Sequence, residues 1–223
     1  SNNTGALTYP GYTSGKTYID VDRYSSGGNG IDPHKLFNSS VSTAANTTFF
    51  ISFVVRIPSA ATVALTTTAE YSVTLRNTTN TAYLSRLFIG KDVSNNIEFG
   101  ISCGQAAGND VWTNGGCVAN TNYLIVLRYD IETGSNNDDM WLWVNPSSFP
   151  LEPTTGTANQ SQINANSNEA GYGAAVNSIM IHQRSSTNSP YAFLDAFKVA
   201  IGTGQGTTAA NASVAWSNLS PSG

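Results

Sequence analysis

Apolar side chains recur at every second position along four stretches of this chain. From Phe49 to Ile57 the odd residues Phe49, Ile51, Phe53, Val55 and Ile57 are all apolar, while Ser52 and Arg56 interrupt the even ones. The same period of two runs through Ile97, Phe99, Ile101 and Cys103, and through Tyr123, Ile125, Leu127, Tyr129 and Ile131. It returns in Phe193, Phe197, Val199 and Ile201, with the carboxylate of Asp195 standing inside the series. Successive side chains of a strand point to opposite faces, so each stretch predicts a strand with one apolar face turned to a core. Shorter strands are predicted over residues 16–22, 70–76, 84–90, 139–144 and 178–184. Between them lie turn-forming clusters such as Ser25-Ser26-Gly27-Gly28-Asn29-Gly30, Asn95-Asn96 and Asn145-Pro146, whose residues accept positive φ or fix a turn. Sustained i, i+3, i+4 apolar spacing is missing, and at most one short helical turn is expected over residues 31–37, around Asp32-Pro33. This many strands without intervening helices predicts an all-β fold, a two-sheet antiparallel β-sandwich. No composition break divides the chain, and the polar stretch 147–175 reads as mostly loop, so residues 1–223 are expected to form a single domain.

Composition narrows the function classes. Charged residues make up 11% of the chain, against about a quarter in an ordinary soluble domain. Ten Lys and Arg against fourteen Asp and Glu leave a net charge of −4 with no block of like charge. That pattern argues against nucleic acid as a partner, which needs a basic stripe to replace counterions. It argues equally against a polybasic membrane-surface protein, and no apolar run is long enough for direct membrane insertion. An apolar share of 40% is too high for a disordered chain. Asn, Ser and Thr number 75, and two cysteines, Cys103 and Cys117, flank a Gly- and Asn-rich stretch. Their spacing carries no metal signature, so the expectation is a disulfide, the alternative being two buried thiols. Low charge, abundant Asn and Thr and a disulfide together favour an extracellular location. The first residues contain no signal peptide. The ends, Ser-Asn-Asn-Thr and Ser-Pro-Ser-Gly, read as a segment cut from a longer multidomain protein.

Several pieces, in order along nearly the whole chain, resemble the concanavalin A-like, LamG-type jelly-roll module of secreted and cell-surface proteins of Bacteroidetes and related bacteria. They are Tyr12-Thr13-Ser14-Gly15-Lys16, Phe50-Ile51-Ser52-Phe53-Val54-Val55, and Leu87-Phe88-Ile89-Gly90-Lys91-Asp92 followed by Asn95-Asn96-Ile97-Glu98-Phe99-Gly100-Ile101. Downstream come Tyr123-Leu124-Ile125-Val126-Leu127-Arg128-Tyr129, Met140-Trp141-Leu142-Trp143-Val144-Asn145-Pro146 with Glu152-Pro153, and Phe193-Leu194-Asp195-Ala196-Phe197-Lys198-Val199-Ala200-Ile201-Gly202-Thr203. The resemblance implies a two-sheet jelly roll, type IX export or an equivalent, and a bacterial cell-surface setting beside neighbouring domains of the same chain. It does not fix a ligand.

Catalytic signals are weak. A glycoside hydrolase needs two carboxylates flanking the scissile bond, and the five glutamates show no Glu-x-Asp-x-x-Glu spacing. Glu98 is the only one placed mid-strand, facing away from Ile97 and Phe99, and reads as solvent-exposed. A jelly-roll polysaccharide lyase would bring together Tyr, His, Gln and Arg. Ile181-His182-Gln183-Arg184 holds three of these types, but an Arg-x-Glu-x-Arg strand is missing. No nucleophile elbow, Walker loop or zinc motif occurs, and the chain reads as no enzyme.

Binding is the better candidate. Trp112, in a Gly- and Asn-rich loop expected to be pinned by the disulfide, is either a stacking platform for a sugar, with Asn109, Asp110 and Asn114 bonding its hydroxyls, or a cap folded onto the core. Trp141 and Trp143 share a strand face, in core packing or a ligand groove. Calcium takes six to eight oxygens, and Asp138-Asp139 with Asp130 concentrate carboxylates near one turn that is otherwise a solvated hairpin. Asp195, alone on an apolar face, suits a structural role, accepting backbone N–H bonds from a loop. The expectation is a non-catalytic extracellular module for adhesion or display, with glycans or other surface proteins as partners. The rivals are a carbohydrate-active hydrolase or lyase domain and a structural spacer in a surface fibre.

Overall fold

The computed structural model describes residues 2–4, 6–10, 17–21, 32–42, 47–59, 65, 69–77, 82–104, 110–134, 136–147, 158–162, 175–182 and 190–203. The strands among them are β1 (Asn2–Thr4), β2 (Thr17–Val21), β3 (His34–Ser42), β4 (Thr47–Arg56), β5 (Tyr71–Asn77), β6 (Ala82–Lys91) and β7 (Ile97–Ser102). Six more follow: β8 (Val111–Trp112), β9 (Asn122–Ile131), β10 (Asp139–Val144), β11 (Gln160–Gln162), β12 (Ala175–Ile181) and β13 (Ala192–Thr203). They build a seven-stranded sheet in the order β1-β2-β13-β4-β9-β10-β11 and a six-stranded sheet in the order β3-β12-β5-β6-β7-β8, all pairs antiparallel. The fold is a two-sheet antiparallel β-sandwich of the jelly-roll kind.

Register follows from the hydrophobic period. β4 pairs β9 along its whole length, with Phe49, Ile51 and Phe53 opposite Tyr129, Leu127 and Ile125. Their shared face packs with Val73, Leu75, Leu87, Ile89, Phe99 and Ile101 of the other sheet to form the main core. A slip of one residue would turn every one of these side chains away from it. The other face of β4 and β9 is apolar too. Phe50, Val54, Leu124 and Val126 join Trp141, Trp143 and Leu7 in a second buried cluster on the outer side of the seven-stranded sheet. Arg128 sits beside this cluster, its guanidinium 4.8 Å from the Trp141 ring and donating to Asp130 at 3.0 and 2.8 Å.

Two expectations are corrected here. In place of the helical turn expected over residues 31–37, residues 34–37 are the start of β3, and residue 31 lies outside the described residues: Phe37 and Val41 pack against the main core while the residues around them are exposed, a strand pattern at a sheet edge. The apolar series from Phe193 to Ile201 does not share one face either. Its register against β4 shifts between Asp195 and Lys198, with Ala196 at φ 56°, the mark of a bulge. Leu194, Phe197 and Val199 therefore face the main core, whereas Phe193 packs against the second cluster. Asp195 accepts the Leu7 amide at 2.9 Å and the Ala196 amide at 2.6 Å, so the bulge fastens the N-terminal segment to the outer face. Within 147–175, β11 lies in the part expected as loop, and residues 148–157 and 163–174 are outside the described residues.

Candidate functional site

The richest chemistry among the described residues lies on the outer face of the six-stranded sheet, and two irregularities create it. Leu84 and Leu87 both face the core, so one extra residue must be absorbed between them. The register shifts there, at Ser85, which has φ 50°. Tyr83, Arg86 and Phe88 are thereby left on the outside. A second shift, between Tyr71 and Val73, turns Tyr71 outward while Val73 and Leu75 stay inside. Bulges of this kind re-aim side chains.

A row of rings results. The imidazole of His182, just after β12, stacks on Tyr71 with centroids 4.2 Å apart and planes at 15°. Tyr71 meets Phe88 edge-on at 6.3 Å, and Phe88 meets Trp112 at 5.7 Å. From β12 to β8 the row crosses four strand spacings, about 19 Å. Trp112 reaches it because β7 carries no side chain at Gly100, its register partner. A Cβ at Gly100 would lie 2.8, 2.9 and 3.0 Å from the adjoining indole atoms Cδ2, Cε3 and Cε2, so the ring lies face-on to the strand. Its N–H donates to the Asp110 carboxylate, and its carbonyl accepts from Gln160 Nε2 at 2.8 Å. Thr113 fixes the next residue, bonding Phe99 through both its backbone N–H and its hydroxyl. Tyr83, Arg76 and Arg86 stand beside the row. The Arg86 guanidinium lies 4.6 Å from the Tyr71 centroid, and that of Arg76 5.5 Å from Tyr83.

Exposure divides this group in two. Trp112, Phe88, Tyr83, Arg76 and Arg86 are half-buried and offer surface to a ligand, whereas Tyr71 and His182 are 6% and 2% exposed and support them from below. His182 Nδ1 is 3.2 Å from Asp32 Oδ1, and its amide donates to Ser72. Glu98 also faces outward, but it is only 9% exposed, contrary to the solvated position expected for it. Burial pushes its carboxyl up, helped by the charge of Asp92. Asp92 holds its own turn by accepting from Ser94 and Asn96, bonds that lower its carboxyl.

The remaining predicted site residues are distributed differently from expectation. Trp112 sits on a short strand at the sheet edge with Asp110 on its indole N–H, Asn114 is exposed, and Asn109 lies outside the described residues. The disulfide does not form: both cysteines are thiols. Cys117 pairs with Ile97, at one end of β7, and Cys103 follows the other end. Six residues of strand separate those ends, about 20 Å, whereas a bridge needs Cα atoms within about 7 Å. Asp130 and Asp138, two of the carboxylates expected for calcium, are engaged by protein donors. Both oxygens of Asp130 accept from Arg128 on the outer side, with Asp139 as its strand neighbour. Burial raises the Asp130 carboxyl despite the opposing pull of Arg128. Asp138 turns inward, accepting from the Tyr129 hydroxyl and, at 2.9 Å, from the Glu132 amide. No three such groups converge on a metal position among the described residues, and this donor set does not fit calcium. Trp141 and Trp143 are buried in the second apolar cluster. A cleft of about 420 Å³ between the sheets is bordered mainly by the apolar Ile19, Phe37, Ile179, Ile181, Phe197 and Val199, with His34 and Lys35 also lining it.

No protein-family model matches the chain, and no curated protein matches its sequence. Among solved structures it is similar to a heptameric SAP-like pentraxin from Limulus polyphemus, with 8% identity and a TM-score of 0.48 over 81% of this chain and 74% of that one. It is also similar to a family 7 alginate lyase A1-II′ in complex with substrate, with 11% identity and a TM-score of 0.46 over 89% and 84% of the two chains. The carbohydrate recognition domain of Emp47p aligns with 8% identity and a TM-score of 0.42 over 91% and 92%.

Proposed function

We propose that this chain is a non-catalytic carbohydrate-binding module that takes its ligand across the outer face of the six-stranded sheet. The observation that carries this reading is the Trp112 ring laid face-on to Gly100 and continued by Phe88. A flat aromatic surface set into a sheet suits the C–H face of a pyranose, and Tyr83, Arg76 and Arg86 stand within reach to bond its hydroxyls. The reading against catalysis rests on access. An acid or base must touch the proton it moves, and His182 is buried under its stack with Tyr71. The carboxylate whose charge acts on Glu98, Asp92, is engaged in its own turn. An extracellular place, in a larger bacterial surface protein of the LamG-type kind, is part of the proposal. With the two thiols unbridged, that place rests on the low charge, the Asn- and Thr-rich composition and the resemblance of the strand motifs.

A glycan array followed by titration calorimetry on the best ligand tests the reading. Trp112→Ala is expected to weaken binding by about tenfold or more while the near-UV circular dichroism stays that of a folded sandwich. Silence across the array, or unchanged affinity in that variant, overturns it.

A further inference from the structure

We infer that the glycan bound on this face is acidic, a chain of uronate residues whose carboxylate is taken by Arg76 beside the rings. The inference rests on the carbohydrate-binding reading and adds the charge of the ligand. Arg76 and Tyr83 are register partners on neighbouring strands, and the guanidinium lies over the Tyr83 ring. Its Nη1 meets only the soft acceptor Met180 Sδ, at 3.5 Å, and its Nε, buried, has no hydrogen-bond partner. No carboxylate pairs with it among the described residues. Acids are not scarce, since fourteen Asp and Glu face ten Lys and Arg. The buried Arg128 on the opposite outer face shows the contrast, with both oxygens of Asp130 on it.

A guanidinium carries five N–H donors in a planar fork that matches a carboxylate bidentately. Arg76 therefore stands half-buried, held in place by an aromatic face, with its Nε side closed off and the Nη end of the guanidinium left to meet an anion. Arg86, over Tyr71, adds a second positive charge to the same region. Glu98 and Asp110 lie on the β7–β8 side near Trp112, and Asp32 lies against His182 at the β12 end. Arg76 and Arg86 are gathered between them on β5 and β6. Tyr83, the register partner of Arg76, lies five residues of β6 from Phe88, about 16 Å, so a uronate at Arg76 and a ring over Phe88 and Trp112 would belong to one chain several residues long.

The test is calorimetry on the whole chain with three hexasaccharide sets: oligouronates, the same oligomers with carboxyls reduced to alcohols, and sulfated neutral oligomers. The oligouronates are expected to bind at least about tenfold more tightly than their reduced forms. Arg76→Gln should erase that preference, so that acid and reduced oligomers bind alike to the variant. Arg76→Lys, which keeps the charge and loses the fork, should restore part of it, and melting curves check that both variants fold. Equal binding of acid and reduced oligomers, or a preference untouched by Arg76→Gln, overturns the acidic ligand and leaves the carbohydrate reading standing. Tightest binding of the sulfated set overturns the uronate assignment in favour of a sulfated glycan. Binding of none of the three overturns both readings.

Discussion

Gly100 is where a single added carbon should disturb the aromatic face most. A Cβ there meets three indole atoms at 2.8–3.0 Å, whereas carbons in contact settle at about 3.5–4.0 Å. The Trp112 ring must lift by about 0.8 Å to make room, although its N–H is bonded to Asp110 and its edge packs on Phe88. Overpacking of this kind costs about 1–3 kcal/mol. Replacing Gly by Ala in strand backbone also stabilises by about 0.4–1 kcal/mol, because the unfolded chain loses freedom. The balance leaves Gly100→Ala less stable by about 1–2 kcal/mol, a fall in Tm of about 2–8 °C for a chain of this size. In a Trp112→Ala background the obstacle is gone, and the same change should be neutral or stabilising by up to about 1 kcal/mol. Urea unfolding of the parent, both single variants and the double variant measures the coupling. An equal loss in both backgrounds would show that the indole does not rest on Gly100, and the stacking surface would go with it.

Other perturbations probe the frame around the face. Asp130→Asn and Arg128→Met should each cost about 3–5 kcal/mol in urea unfolding, because either strands a buried partner, whereas the double variant should lose far less than the sum; additive losses would contradict the pairing. Asp195→Ala should lose about 1–3 kcal/mol and expose the Leu7 amide to hydrogen exchange; continued protection of that amide would show that something else holds it. Glu98 has its carboxyl raised in the folded state by burial, so folding binds its proton more tightly and stability falls as pH rises from the usual carboxylate range through the folded value. Glu98→Gln should therefore raise Tm at pH 7, with the advantage fading below about pH 4; a gain that persists in acid would trace it to another cause. Finally, both thiols should react with Ellman's reagent once the chain is unfolded, and reductant should leave Tm unchanged; finding neither thiol would contradict the register around β7.

The sandwich was legible in the sequence because β4, β7 and β9 obey a period of two over their buried lengths, and a covered sheet face tolerates little else. Trp112 could be singled out as a flat ring among Gly and Asn, but its support could not. Gly100 is twelve residues away and becomes its neighbour only through strand pairing. Tyr71 was hidden more thoroughly: the alternation Tyr71, Val73, Leu75 places all three in the core, and only the shift beside Ser72 turns the first of them outward. Ser85 does the same for Arg86 and Phe88. The cysteine expectation failed for a related reason. Nearness along the chain does not give the offset across an antiparallel pair, nor which side of the sheet a carboxylate takes.

The last described strand in the chain, β13, occupies an inner place in the seven-stranded sheet, between β2 and β4. During synthesis the first two strands thus have no place to dock until residues 192–203 have emerged, and Leu7 waits for a partner 188 residues downstream. Long sequence separation of this sort slows folding and keeps sticky surface uncovered meanwhile. A nascent chain halted before β13 would present β4 as a bare apolar edge, a handle by which holding factors could keep it unfolded until the whole polypeptide is made.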